Sequence, residues 1–85
     1  MREIKYIVGH FKGGNLVVPS AVMFGSEIPH SQFAILFDKI LGAGFCVIES
    51  NKAKVYGESY TLKVKAQPKD VVTLEATFCK SPFDL

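Results

Sequence analysis

The residues of this chain that could do chemistry are few and scattered. Two His and two Cys raise metal binding first, but His10, His30, Cys46 and Cys79 show none of the short paired spacings that structural zinc uses. Nucleophilic catalysis has as little behind it. Gly57-Glu58-Ser59 is not a Gly-x-Ser-x-Gly elbow, and no strand–turn–helix follows it. Ser31 follows His30 directly, and neighbours on a helix point about 100° apart. Cys46 is expected on an apolar strand face, where a thiol is inert. The acids Glu27, Asp38, Glu49, Glu58 and Asp70 show no spacing that would make an acid–base couple. The expectation is a protein that is not an enzyme and uses no metal or cofactor.

A binding surface has a better case. Residues 55–65, "VYGESYTLKVK", gather Tyr56, Glu58, Ser59, Thr61, Lys63 and Lys65. Lysines and hydroxyls beside an aromatic ring suit an anionic, partly planar ligand, with charge and hydrogen bonds for phosphate and a ring face for a base. Glu58 is discordant beside an anion; it would accept from a base or ribose hydroxyl, or simply face outward from a turn. His30, opening a helix, would add a donor where free backbone N–H groups already favour anions. The plain alternative is a solvated sheet face, with His30 tethering the first helical turn. Phe45 and Val47 on that face fit a subunit interface at least as well as a pocket.

These side chains must be positioned by a small framework. Residues 4–11, "IKYIVGHF", are rich in β-branched and aromatic types and predict a strand. Gly13-Gly14-Asn15 supply a hairpin, and a second strand follows in "NLVVPSAVMF", interrupted by Pro19, which cannot donate to a ladder and so marks an edge, a bend or a break. Phe33, Leu36, Phe37, Ile40 and Leu41 then fall at i, i+3, i+4, i+7 and i+8, which predicts a helix opening at Pro29 and ended by Gly42 or Gly44.

From Phe45 period two returns. Two-residue turns at Asn51-Lys52 and Gly57-Glu58 would make a three-stranded meander pairing Ser50 with Ala53, Ile48 with Val55, and Val55 with Tyr60. One face collects Cys46, Ile48, Ala53, Val55, Tyr60, Leu62 and Val64. The other collects Phe45, Val47, Glu49, Lys54, Tyr56, Ser59, Thr61, Lys63 and Lys65. Val71, Leu74 and Phe78 mark a second helix from about Pro68 to Cys79, with Asp70 at the positive end of its dipole, and a tail ends in Phe83-Asp84-Leu85. The order is β-β-α-β-β-β-α: an α+β fold in one domain spanning 1–85, an antiparallel sheet with both helices on one face.

Bulk composition narrows the partners. With 85 residues, 48% of them hydrophobic, the chain has room for one core. Seven Phe and three Tyr are more than a monomer of this size readily hides, which favours a homo-oligomer. A net charge of +2, scattered, argues against duplex DNA. No apolar run reaches the roughly 18 residues of a membrane span. The start, Met1-Arg2-Glu3-Ile4-Lys5, lacks the apolar segment of a signal peptide, so a reducing cytoplasm is expected, with Cys46 and Cys79 as thiols.

"KYIV", "PHSQFA", "GAGFCVIE", "VYGESYTL" and "QPKDVVTL" together resemble a pattern found in small proteins of phages and prophages. The shared features are a His before the first helix, an Ala-Gly-Phe strand, a Tyr-Gly-x-Ser turn and a Pro-x-Asp helix start, spanning about Lys5 to Leu74. Pro29 departs from it, standing where a small capping residue belongs. The resemblance implies a protein that works by binding, in the cytoplasm of an infected or lysogenic bacterium. The leading expectation is a homo-oligomeric accessory protein that evades host defence by sequestering a small anionic ligand such as a signalling nucleotide. Its alternatives are a protein–protein inhibitor of a host defence or nucleic-acid enzyme and, behind that, a single-stranded nucleic-acid binder.

Overall fold

Tyr6, Ile7 and Val8 are consecutive and all buried. Successive side chains of a strand point to opposite faces, so this run can be buried only if both faces of its sheet are covered. The computed structural model, which describes residues 3–14, 17–50 and 52–79, shows this arrangement. Strand β1 (Ile4–Phe11) lies inside a four-stranded antiparallel sheet, flanked by β2 (Ser20–Gly25) and the long β3 (Phe37–Glu49). The hairpin partner β4 (Lys52–Tyr56) completes the order β2-β1-β3-β4. Two short strands, β5 (Glu58–Ser59) and β6 (Val64–Lys65), pair only with each other. Helix α1 (His30–Ala34) precedes β3, and α2 (Asp70–Cys79) closes the described chain. The fold is α+β, in the expected order, with the last expected strand broken into β5 and β6.

The two faces carry separate cores. On one, Tyr6, Val8, Cys46 and Ala53 pack against Leu74 and Val71 of α2. On the other, Ile7, Phe24, Phe37 and Ala43 pack against Phe33 of α1 and against Leu62 and Val64 of the β5–β6 hairpin. The helices therefore cover opposite faces, not the same one. Pro19 directly precedes β2, which is an edge strand, where a residue lacking an N–H costs no ladder bond.

The first helix is far shorter than its apolar spacing predicts. Phe37, Ile40 and Leu41 belong to β3, and Gly42 and Gly44 lie within it instead of ending a helix. The cause is two register shifts in the β1–β3 ladder, between Val8 and Gly9 and between His10 and Phe11. Phe11, Gly9 and Ile7 advance by two along β1, while their partners Phe37, Ile40 and Ala43 advance by three. Each bulge converts a strand step into a helix-like one. A bulged strand thus imitates a helix in its apolar spacing.

The hairpin after Phe45 forms, but two residues out of the expected register. Ile48 pairs with Ala53 and Cys46 with Val55, so Lys52 sits in the strand opposite Glu49 instead of in the turn, and Ser50 takes a positive φ of 48°. A slip of two leaves each side chain on its expected face. The third strand of the meander does not form. Residues 60–63 turn, and Glu58 and Ser59 face Lys65 and Val64. Asn15, Asn51, the Phe78 and Cys79 side chains and the tail Phe83-Asp84-Leu85 lie outside the described residues.

Candidate ligand-binding groove

Of the expected site residues, His30 and Tyr56 do come near one another, through rings. Phe33 stacks on Phe24 at 4.5 Å, Phe24 meets His30 edge-on at 5.5 Å, His30 meets Phe45 at 5.9 Å, and Phe45 stacks on Tyr56 at 5.8 Å. His30 is 5% exposed, and its Nε2 donates to the Gly44 carbonyl at 2.9 Å, an assignment that follows because a carbonyl can only accept. Burial holds the imidazole below its ordinary pKa, with Lys5 nearby acting in the same direction against the raising effect of the Gly44 bond. A neutral, inward-facing ring in a five-residue helix is not an anion donor. The Tyr56 hydroxyl is engaged by the Glu3 carboxylate, which raises the phenol to about 12.

The remaining members part company. Gly57, at φ 74°, turns the chain away from β4, and a side chain there would crowd Phe45. Ser59 is 1% exposed, and its Oγ accepts from Leu62 N at 3.3 Å, closing the turn. Thr61 and Lys63 stand exposed in that turn, Lys63 with a φ of 57°. Lys65 is exposed opposite Glu58. Tyr60, expected on the apolar face, is 84% exposed. Ser59 thus drops out of the outward set, and Thr61, Lys63 and Lys65 stay exposed without the strand that would align them. Lys54, Tyr56, Phe45 and Val47 do share a face, as expected.

The unexpected feature lies on the α2 side. Asp70, the first residue of α2, is 1% exposed. Its Oδ2 accepts from the Tyr6 hydroxyl at 2.6 Å and from Gln67 N at 2.9 Å, which pins the start of α2 over the centre of the sheet. Tyr6 is itself fully buried. Burial first, then the bond to Asp70, pushes its phenol far above the ordinary value, so the hydroxyl stays a donor. Gly42 makes the approach possible: a Cβ there would overlap Asp70 Oδ2 and stand 2.7 Å from Cγ and Oδ1.

Oδ1 of Asp70 is the one buried side-chain polar atom without a hydrogen-bond partner among the described residues. Asp70 also forms part of the wall of a groove of about 800 Å³ between α2 and the β1–β2 side of the sheet. Val8, Phe11, Val18, Leu41, Val72 and Ala76 make its lining largely apolar. That size and polarity suit a small-molecule site. Sequence reading missed it because Tyr6 and Asp70 are 64 residues apart. The signal available was Tyr6 itself, a phenol in mid-strand whose hydroxyl needs a buried partner.

No helix among the described residues is long and apolar enough to cross a membrane, and no cluster of three or more His, Cys, Asp or Glu among them could hold a metal. Cys46 lies buried beneath α2, a free thiol that burial pushes up to about 11. Comparison with protein families, curated proteins and solved structures finds no match to this chain.

Proposed function

We propose that this protein acts by binding a small molecule, without transforming it, in the groove between α2 and the β1–β2 side of the sheet. The observation that carries the reading is an apolar groove of about 800 Å³ whose wall is fixed by the buried Tyr6–Asp70 bond. The sequestering role expected from the phage-like motifs is retained in kind, with the site moved from the Tyr56–Lys65 segment to the opposite face. His30 and Ser59, two of the residues nominated for the anion, are spent on internal bonds, which favours the groove over that segment.

Self-association remains part of the proposal. Ile35 at 69% exposure and Tyr60 offer apolar surface for a second copy to bury, in keeping with the surplus of aromatic residues. The groove reading is tested by screening small apolar molecules for thermal stabilisation, since a ligand that binds only the folded state raises its stability. Ala76→Phe, which fills the groove without touching Asp70, abolishes the stabilisation on this account. Hits that stabilise this variant as well as the parent contradict it.

A further inference from the structure

We infer that β2 pairs with β2 of a second copy of this chain, antiparallel across a two-fold axis, so that the two sheets join into one; this rests on the self-association proposed above and names the surface that carries it. The four-stranded sheet ends in two edge strands, β2 and β4. An edge offers a row of unpaired N–H and C=O groups, which proteins blunt with charges or cover. β4 is blunted twice. Lys52 and Lys54 lie along it, and Ala53 N donates to Glu75 Oε2 of α2 at 2.8 Å instead of to a strand. β2 has neither device. No charged residue occurs from Gly13 to Ser26, and no side chain among the described residues bonds the backbone of Ser20–Phe24. Ala21, Val22 and Met23 are only half-buried, and the exposed Val17 and Val18 precede them.

The lack of charge identifies the partner. In antiparallel self-pairing a residue at the axis meets its own kind, and like charges directly opposite one another destabilise a ladder. The run Ser20–Phe24 carries none. Pairing β2 of one copy with β4 of the next would instead build an open fibre, and Glu75 stands in the way. The ends of the run fix its register. Pro19 has no N–H to give, and Gly25 O already accepts from Ile28 N at 3.0 Å. Centring Ser20–Phe24 on the axis sets Val22 opposite its own counterpart and Ala21 opposite Met23. Val22 packs with the α1-face core, Ala21 and Met23 with the α2-face core, so both cores continue across the junction.

A single strand pair is a small interface, so dissociation in the micromolar range or weaker is expected. Sedimentation over a concentration series measures it, and isotope-filtered NOE spectra of mixed labelled and unlabelled protein locate it. The expected result is a dimer with contacts between copies from Val22 to Val22 and from Ala21 to Met23. Val22→Lys sets two like charges together and weakens the dimer about ten-fold or more, whereas Val22→Thr, of the same shape, keeps it. Should Val22→Lys not fold, the contacts in the parent protein still decide. A dimer whose contacts lie at Ile35 and Tyr60, or one that a folded Val22→Lys leaves unchanged, overturns the edge pairing and leaves self-association standing. A parent protein that stays monomeric throughout overturns both.

Discussion

The two faces of the sheet bury polar side chains in opposite ways. On the α1 face, His30 sits between the rings of Phe24 and Phe45 and gives its Nε2 proton to Gly44 O. Its neighbours are rings, and its donor is spent on the backbone of the strand beneath it. On the α2 face, Asp70 is buried as deeply but only one of its oxygens is engaged, and it borders a groove instead of a ring stack. A buried polar group that is paired fixes a fold, whereas one left half paired costs free energy that the rest of the fold must offset. The contrast separates a face whose buried polar group is spent within the framework from one that borders an open groove.

Gly42 and Gly57 give the largest expected difference. Gly42→Ala drives a methyl into Asp70 and displaces the start of α2, with a loss of about 3 kcal/mol in urea unfolding and loss of groove binding. Gly57→Ala meets only a positive φ and the edge of Phe45, costs about 1 kcal/mol, and leaves the groove intact. Equal losses at the two glycines would remove the special standing of the Asp70 site.

Next come the two buried bonds. Tyr6→Phe strips a donor from a carboxylate and costs about 2 kcal/mol. His30→Phe keeps a ring in the stack and loses one bond to a neutral carbonyl, costing about 1 kcal/mol by the same assay. The reverse order would mean that the aromatic row, not the Tyr6–Asp70 link, anchors the fold.

The faces also differ in the pH at which each weakens. His30 has a depressed pKa when folded, so below about 6.5 the unfolded chain takes up a proton that the folded protein refuses, and stability falls with pH. Tyr6 has a raised one, so above about 10 the unfolded chain loses a proton that the folded protein keeps, and stability falls as pH rises. His30→Phe is expected to flatten the acid side of the stability profile and Tyr6→Phe to lessen the alkaline slope, where Cys46 and Tyr56 also contribute. A parent profile that stays level from pH 7 to 5 would deny the first half of this.

The smallest effects belong to the β5–β6 turn. Ser59→Ala loses the bond from Leu62 N and about 1 kcal/mol, and Lys63→Gly relieves a left-handed backbone and gains about 0.5 kcal/mol. Neither should alter ligand affinity, since both lie outside the groove lining. A ligand whose binding responds to either would return attention to the Tyr56–Lys65 segment.

Much of the framework was legible in the sequence, and little of the site. Both flanking strands of the Phe45–Tyr56 hairpin, the sorting of their faces, the burial of Cys46 and the helix after Pro68 follow from period and turn chemistry, which are local. The helix expected from Pro29 to Gly42 or Gly44 stops at Ala34 because bulges against β1 change the spacing of a strand, and bulges are a property of a pair of strands, not of one. The meander failed at Gly57, where a positive φ served a change of direction instead of a tight hairpin. Asp70 was legible as a helix start. The groove it borders was not, since that depends on Gly42 making room, on the bond from Tyr6, and on β2 closing the far wall.

Chemical-shift mapping is the most direct check on the groove. In 1H–15N correlation spectra recorded while a small apolar molecule from the thermal screen is added, the largest movements are expected at Val8, Leu41, Thr73 and Ala76, along both walls of the groove. Movements centred on Phe45, Tyr56 and Lys65, or none anywhere along the chain, would contradict the account.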